Sequence, residues 1–438
     1  MLTRQGGKFA VKTPEWIYQT LPKTFEACLL RSRAATLSPV GKYNLRRKLL
    51  KLNGAIIMMA ATILLAAISW VSGTLGGNDE EITFIAANFA DVSRSAMNLS
   101  GNTPHGEIAV SHLEFINDNL YDRFAFSCQE RRTAAWIVEE LLAMGYTWDD
   151  IEVQEYSLDD VMHFFEGSAI MVNMIYILGN TPFINLGTEN THLSQNVILT
   201  VPGQTDEKIV VGAHYDTWFF PGVSDNASGI ALLLESAQRM LNIDNHYTIV
   251  YVFFGAEEVG LLGSCFYVDS LTREQHENIQ FMINADVLLE GSDLFYFAAY
   301  DTNIQPDGRG TAESWLDYMD TIELGSNHIT DTWDSIARDL ATRGVDLTPW
   351  PDGIFATSDH LAFMPWGHTT MFLSGLDAVD GFMYMDVEVM DIFSEMARVV
   401  HSPRDDFHYI NERWPDKIDE NMRAFSIFLE ELLLATYN

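Results

Sequence analysis

Residues 210–225 read Val210-Val-Gly-Ala-His-Tyr-Asp-Thr-Trp-Phe-Phe-Pro-Gly-Val-Ser-Asp225. The opening Val-Val-Gly-Ala, extended back to Lys208, predicts a buried β-strand that delivers His214 and Asp216 at its carboxyl end. A Pro-Gly turn follows, then Asp225 and the line Asn226-Ala-Ser-Gly at the mouth of an apolar helix. Open α/β sheets bind ligands outside the carboxyl ends of their strands. A histidine and two aspartates gathered there suggest metal chemistry.

The surrounding pattern fixes the fold class. Alternation predicts a strand at Ile151–Tyr156, and apolar runs predict strands at Ser168–Leu178, Asn196–Val201, Lys208–His214, Tyr247–Phe254, Ile279–Asp286, Leu294–Ala298 and Thr370–Leu373. Helical periodicity appears at Glu107–Leu120, Arg132–Met144, Ser228–Leu241, Gly260–Asp269 and Asp416–Thr436. In the second of these, Ala135, Ile137, Leu141 and Leu142 form the expected apolar stripe. Strands alternating with helices indicate an α/β protein, with a mostly parallel twisted sheet covered by helices on both faces. Residues 301–355 are polar and Asp-rich and read as an irregular insertion over the strand ends.

Charge divides the chain of 438 residues. Residues 1–51 carry eleven Lys/Arg against Glu15 and Glu26, whereas the other 387 carry 15 basic and 59 acidic groups. So acidic a surface repels phosphate, which excludes nucleic acid as a partner. It points either to saline surroundings, where salt screens self-repulsion, or to simple solubility.

Between the two compositions, Leu52–Asn78 contains no charged residue, and a helix through it is long enough to cross a bilayer. The basic cluster Arg46-Arg-Lys-Leu-Leu-Lys51 precedes it, and Asp79, Glu80 and Glu81 follow. The positive-inside rule therefore predicts a basic cytoplasmic segment 1–51, a transmembrane signal anchor 52–78 and an extracytoplasmic domain 79–438. A cleaved signal peptide, which would make the protein secreted, is the competing reading. Of Cys28, Cys128 and Cys265, at most Cys128 and Cys265 share a compartment, and their pairing stays open.

Further chemistry-bearing clusters lie at strand ends, Gly255-Ala-Glu257-Glu258 and Asn284-Ala-Asp286, and a late His401-Ser-Pro-Arg-Asp405 precedes the C-terminal helix. Two histidines and three carboxylates suit a pair of zinc ions held by a shared carboxylate. In adjacent glutamates, one can bind metal while the other moves protons. Asp216, two residues beyond His214, is placed to fix that imidazole.

Taken together, Gly212-Ala-His-Tyr-Asp216, Ser224-Asp-Asn-Ala-Ser-Gly229, Gly255-Ala-Glu-Glu-Val-Gly260, Asn284-Ala-Asp286, Ser358-Asp-His360 and His401-Ser-Pro-Arg-Asp405 resemble the di-zinc exopeptidase family. That family includes leucyl aminopeptidases, glutamate carboxypeptidase-like proteins and glutaminyl cyclases. The resemblance implies that His214 and Asp286 bind one zinc, that Glu258 and His401 bind the other, and that Asp225 bridges them. It implies Glu257 as general base, Asp216 as support for His214, and a cis peptide at Asp225–Asn226. His360 either lines the pocket or makes structural hydrogen bonds. The aromatic stretch Gly381–Met390 is either a pocket wall or local packing. The expected activity is aminopeptidase action on peptides. Alternatives are a carboxypeptidase, a glutaminyl cyclase or a non-catalytic surface receptor.

Overall fold

The computed structural model describes residues 2–5, 8–11, 103–161, 193–218, 220–290, 293–301, 324–349, 358–376 and 399–437. The chain divides into two compact units, Met1–Ile68 and Ser69–Asn438. In the first, β1 (Leu2–Gln5) and β2 (Lys8–Val11) pair antiparallel. The expected transmembrane segment 52–78, the strand at 168–178 and the stretch 381–390 lie outside the described residues. Among the described residues, no helix is long and apolar enough to cross a membrane.

The second unit runs α1 (Glu107–Asn119), α2 (Cys128–Met144), β3 (Ile151–Ser157), β4 (Leu193–Val201), β5 (Lys208–His214), α3 (Ser228–Met240), β6 (Thr248–Phe254), α4 (Leu262–Ser270), α5 (Arg273–Asn278) and β7 (Ile279–Ala285). Then come β8 (Asp293–Asp301), β9 (Leu324–Gly325), α6 (His328–Thr342), β10 (Thr348–Pro349), β11 (Thr369–Leu376), α7 (Phe407–Arg413) and α8 (Lys417–Leu434). The nine strands β3–β11 form one sheet, ordered β10-β8-β11-β7-β5-β6-β4-β3, with β9 paired to β8.

Its centre is parallel: β6, β5, β7 and β11 run the same way, while β4 and β8 flank them antiparallel. From β5 the chain steps to β6 on one side and returns to β7 on the other. That reversal opens a crevice beyond the carboxyl end of β5, where His214 lies.

Alternating side chains of the central strands feed two cores. Ile209, Val211, Tyr251, Phe253, Phe281 and Ile283 pack under α1, α2, α3, α6 and α8. Val210, Val250, Val252, Phe254 and Met282 pack against Cys265 and Val268 of α4 and against Phe363. Burial on both faces explains the unbroken apolar runs. Every residue of α3 except Gln238 is buried. Within it, Glu235 accepts the N–H groups of Gly106 and Ala109, both at 2.8 Å, and so caps the N-terminus of α1 with a negative charge.

Two expectations change. Residues 301–355 are not irregular throughout, because 328–342 form the helix α6. Its N-cap Asn327 and Thr330 make a reciprocal capping box. Ile329, Trp333, Ala337 and Leu340 are buried from it at helical spacing, despite the Asp, Thr and Ser between them. In α2, which starts at Cys128 behind the N-cap Ser127, Ala135 is exposed. The buried stripe is instead Ala134, Ile137, Val138 and Leu141, joined by Trp136 and Glu140. Cys128 and Cys265 do not form a disulfide with each other.

Candidate metal centre

The carboxyl ends of β5, β6 and β7 bring together side chains from four separate sequence segments. His214 ends β5, and its Nε2 lies 3.1 Å from Asp225 Oδ1, 3.2 Å from Asp286 Oδ1 and 3.9 Å from Glu257 Oε2. His401 Nε2 lies 3.0 Å from Asp225 Oδ2 and 2.9 Å from Glu258 Oε2. Asp225 therefore turns one carboxylate oxygen to each histidine. Donor atoms of His214, Glu257 and Asp286 form one compact group, and those of Asp225, Glu258 and His401 another. Glu257, expected as a base, stands within the first group.

The backbone around these residues is unusual. The Asp225–Asn226 peptide is cis, as the resemblance implied. Ala256, Val287 and His401 hold left-handed φ values of 52°, 54° and 56°. Each costs a non-glycine residue of order 1–3 kcal/mol and persists only where its surroundings dictate it. Gly255 is required by crowding, since a Cβ there would meet Ser194 Oγ at 2.5 Å and the Gln195 carbonyl at 2.7 Å.

Asp216 does more than lie beside His214. Its two carboxylate oxygens accept the N–H groups of Glu257 and Glu258 at 2.9 and 3.2 Å. His214 Nδ1 sits 3.2 Å from the Asp216 carbonyl and 3.4 Å from its Oδ1. Ser358 donates to Asp286 Oδ2 at 2.7 Å and accepts from Asn284 Nδ2 at 2.8 Å. Its neighbour His360 is fully buried, within 5.2 Å of the Phe372 ring and 6.2 Å of the Phe297 ring, and belongs to neither donor group.

Two buried ionisable side chains were missed in the sequence. Glu130 of α2 accepts from the Phe126 N–H, the Ser194 hydroxyl and the Ala256 N–H, the last two at 2.7 and 3.0 Å. Burial and the charge of Asp216 push its carboxyl well above the usual range. Arg123 donates to the carbonyls of Leu120, Tyr215, Pro221 and Gly222 at 2.7–2.9 Å. Burial draws its pKa down to about 10, against the pull of Asp405 and Asp216. Neither residue stands in a patterned motif, and their partners are mostly backbone groups.

The electrostatics fit cations. Burial and Asp225 raise the Glu258 carboxyl to about 7. Burial opposes a charge on His401, but hydrogen bonds to Asp225 and Glu258 outweigh it and push that imidazole up to about 11. Burial also lifts Glu257 well above the carboxylate range, with His214 opposing it. Protons on the two imidazoles thus do the neutralising that metal ions would do. Glu258 Oε1 is buried with no hydrogen-bond partner, an orphaned donor for a metal. Two ligands ~2.1 Å from a tetrahedral zinc lie ~3.4 Å apart, close to the nitrogen–oxygen separations here.

The same residues connect the chain to known proteins. The model of "Peptidase family M28" matches residues 196–426. Aminopeptidase YwaD of Bacillus subtilis is 27% identical over 205 residues, which is 47% of this chain and 37% of that protein. Aminopeptidase Y of Saccharomyces cerevisiae is 32% identical over 129 residues, 29% of this chain and 24% of that protein. The matches thus span well under half the length of these curated relatives. The zinc aminopeptidase BSAP of Bacillus subtilis shares the fold, with a TM-score of 0.50 and 17% identity across 74% of this chain and 95% of that one. With more than half of its length matched by the family model, the chain belongs to peptidase family M28.

Proposed function

We propose that this protein is a zinc-dependent exopeptidase, an aminopeptidase that removes N-terminal residues from peptides. The observation that carries the two-ion reading is Asp225, whose two oxygens face His214 at 3.1 Å and His401 at 3.0 Å. His214 and Asp286 would hold one zinc, Glu258 and His401 the other, with Asp225 shared.

When bound, zinc supplies Lewis-acid chemistry, polarising the scissile carbonyl and acidifying water toward a pKa of ~7. The protein's own contribution is proton transfer and placement. Glu257 takes a proton from the attacking water on its carboxylate and returns it to the departing amine, work ordinarily worth 10²–10⁴-fold in rate. Its elevated proton affinity suits an acceptor that must give the proton back. Asp216 keeps Glu257 and Glu258 in step through their backbone N–H groups. Ser358 keeps Asp286 from rotating.

The test is chelator-sensitive release of free amino acids from aminoacyl-nitroanilides, set beside N-acylated peptides. Hydrolysis of acylated substrates alone would overturn the aminopeptidase reading, and cyclisation of N-terminal glutamine would point to a cyclase instead. The proposal also includes anchoring by residues 52–78, with the peptidase unit outside the cytoplasm. Release of the intact chain from membranes by alkaline carbonate, without detergent, would refute the anchor.

A further inference from the structure

The loop from His214 to Asp225 joins two donor residues of the centre, and two buried side chains, a guanidinium and a carboxyl group, hold it by complementary backbone groups. On one side, Arg123 takes the carbonyls of Tyr215, Pro221 and Gly222 at 2.7, 2.9 and 2.9 Å. Immediately afterwards the backbone presents N–H groups instead, and Asp405 receives them. Ser224 N–H donates to Asp405 Oδ1 at 2.5 Å, Asp225 N–H to Oδ2 at 3.0 Å, and Val223 N–H to the Asp405 carbonyl at 3.3 Å. Between the two grips Gly222 turns with φ of 60°, where a Cβ would strike Thr217 and the Asp225 carbonyl.

Asp405 is 1% exposed and follows His401 by four residues. The turn between them is closed by Ser402, whose carbonyl accepts from the Asp405 N–H at 3.0 Å and whose hydroxyl accepts from the Arg404 N–H at 3.1 Å. One carboxylate therefore ties the turn that carries His401 to the backbone of the very residue that His401 faces.

We infer that Asp405 is a positioning residue for the metal centre: with Arg123 as its counterpart, it sets the spacing between the bridging carboxylate of Asp225 and the imidazole of His401. This rests on the two-zinc reading above. Asp405 stays off the metals. It acts through two amides, and it needs both oxygens as acceptors. In Asp405→Asn the side chain keeps its size, but an NH₂ group now confronts one of those N–H groups. Partners that orient ligands in this way are typically worth 10–100-fold in metal affinity.

The experiment is titration of the metal-free full chain with Zn²⁺ against a competing chelator, for the wild type and Asp405→Asn. It is repeated with Co²⁺, read by visible absorption. The wild type should bind two equivalents, and the variant should bind one of them 10–100-fold more weakly with an altered cobalt spectrum. Unchanged affinities and spectrum in a folded Asp405→Asn would overturn the inference. A wild type that takes one equivalent would sink the two-zinc reading, and Asp405 would then be judged by amide exchange in the metal-free wild type. There the Ser224 and Asp225 amides should exchange at least 10-fold more slowly than those of exposed loop residues. The same measurement decides the matter if Asp405→Asn does not fold. Exchange of those two amides at open-loop rates would refute the role of Asp405.

Discussion

Asp216 accepts the backbone N–H of Glu257 at 2.9 Å, so the strand end that carries His214 grips the turn that carries the proposed base. Its second oxygen takes the next amide along, that of Glu258. Replacing Asp216 by Asn puts an NH₂ against one of those N–H groups. The expected loss is 10–100-fold in kcat/KM, with thermal unfolding of the metal-free protein shifted by only a few degrees. Steady-state kinetics beside calorimetry on Asp216→Asn would check it.

Glu257→Gln should fold and keep its zinc, because His214, Asp286, Asp225, Glu258 and His401 remain. Hydrolysis should fall by ~10²–10⁴. Atomic absorption on the purified variant, alongside rate measurements, separates the two roles of this residue. Loss of one metal equivalent would assign Glu257 to the ligands instead.

Metal removal should destabilise the fold, since four carboxylates are packed at one spot. Ligand binding adds about 2.7 kcal/mol when free ligand is 100-fold above its Kd. For a domain of this size that corresponds to several degrees in Tm. A chelator-treated sample should unfold earlier and recover when Zn²⁺ is returned.

Salt should stabilise this protein. Residues 52–438 hold 59 acidic and 15 basic groups, and ion screening shortens the reach of their repulsion from ~10 Å at 0.1 M to ~3 Å at 1 M. Tm is expected to rise by several degrees between 0.1 M and molar salt. A flat or falling Tm would show that the acidic surface is not tuned for screening.

Acid should weaken the fold at the amino-terminal ends of the central strands, away from the metal centre at their carboxyl ends. His368 precedes β11 and is 2.9 Å from His276, which stacks on Trp366. Burial, then His276, lowers the His368 pKa to about 3. Its folded pKa is depressed, so the stability of the neutral form is complete above ~6.5 and is lost as pH falls toward 3. The slope is at most ~1.4 kcal/mol per pH unit for this group. Denaturant midpoints of His368→Gln should therefore fall less steeply than wild type between pH 6.5 and 4.

The strands were legible because a sheet buried on both faces needs unbroken apolar runs, and those from 208 to 214 and from 248 to 254 are of that kind. His214, Glu257, Glu258 and Asp286 were legible because each stands at or just past such a run, whereas Asp225 marks a helix mouth and His401 came with the family motif. What escaped was chemistry without a local pattern. Arg123 and Glu130 look like any charged residues near helices until the folded chain brings four carbonyls to one and the Ala256 amide to the other. Helix α6 escaped because Asp, Thr and Ser between its apolar positions dilute the average, although Ile329, Trp333, Ala337 and Leu340 keep the period. Asp405 was in view inside a quoted motif, but nothing in its spacing says that it serves amides 180 residues away.

Glu130 carries a practical lesson about excision. The family match begins at residue 196, yet this carboxylate reaches from α2 to Ala256, next to Glu257. A fragment trimmed to the matched stretch would leave the Ser194 partner and both early helices behind, along with the arginine that seats the first loop. It would keep every donor residue and still lack the means to hold them. Minimal expression of this peptidase should therefore include α1 and α2, whose Ala109, Leu113, Ile137 and Leu141 join the core under the central strands.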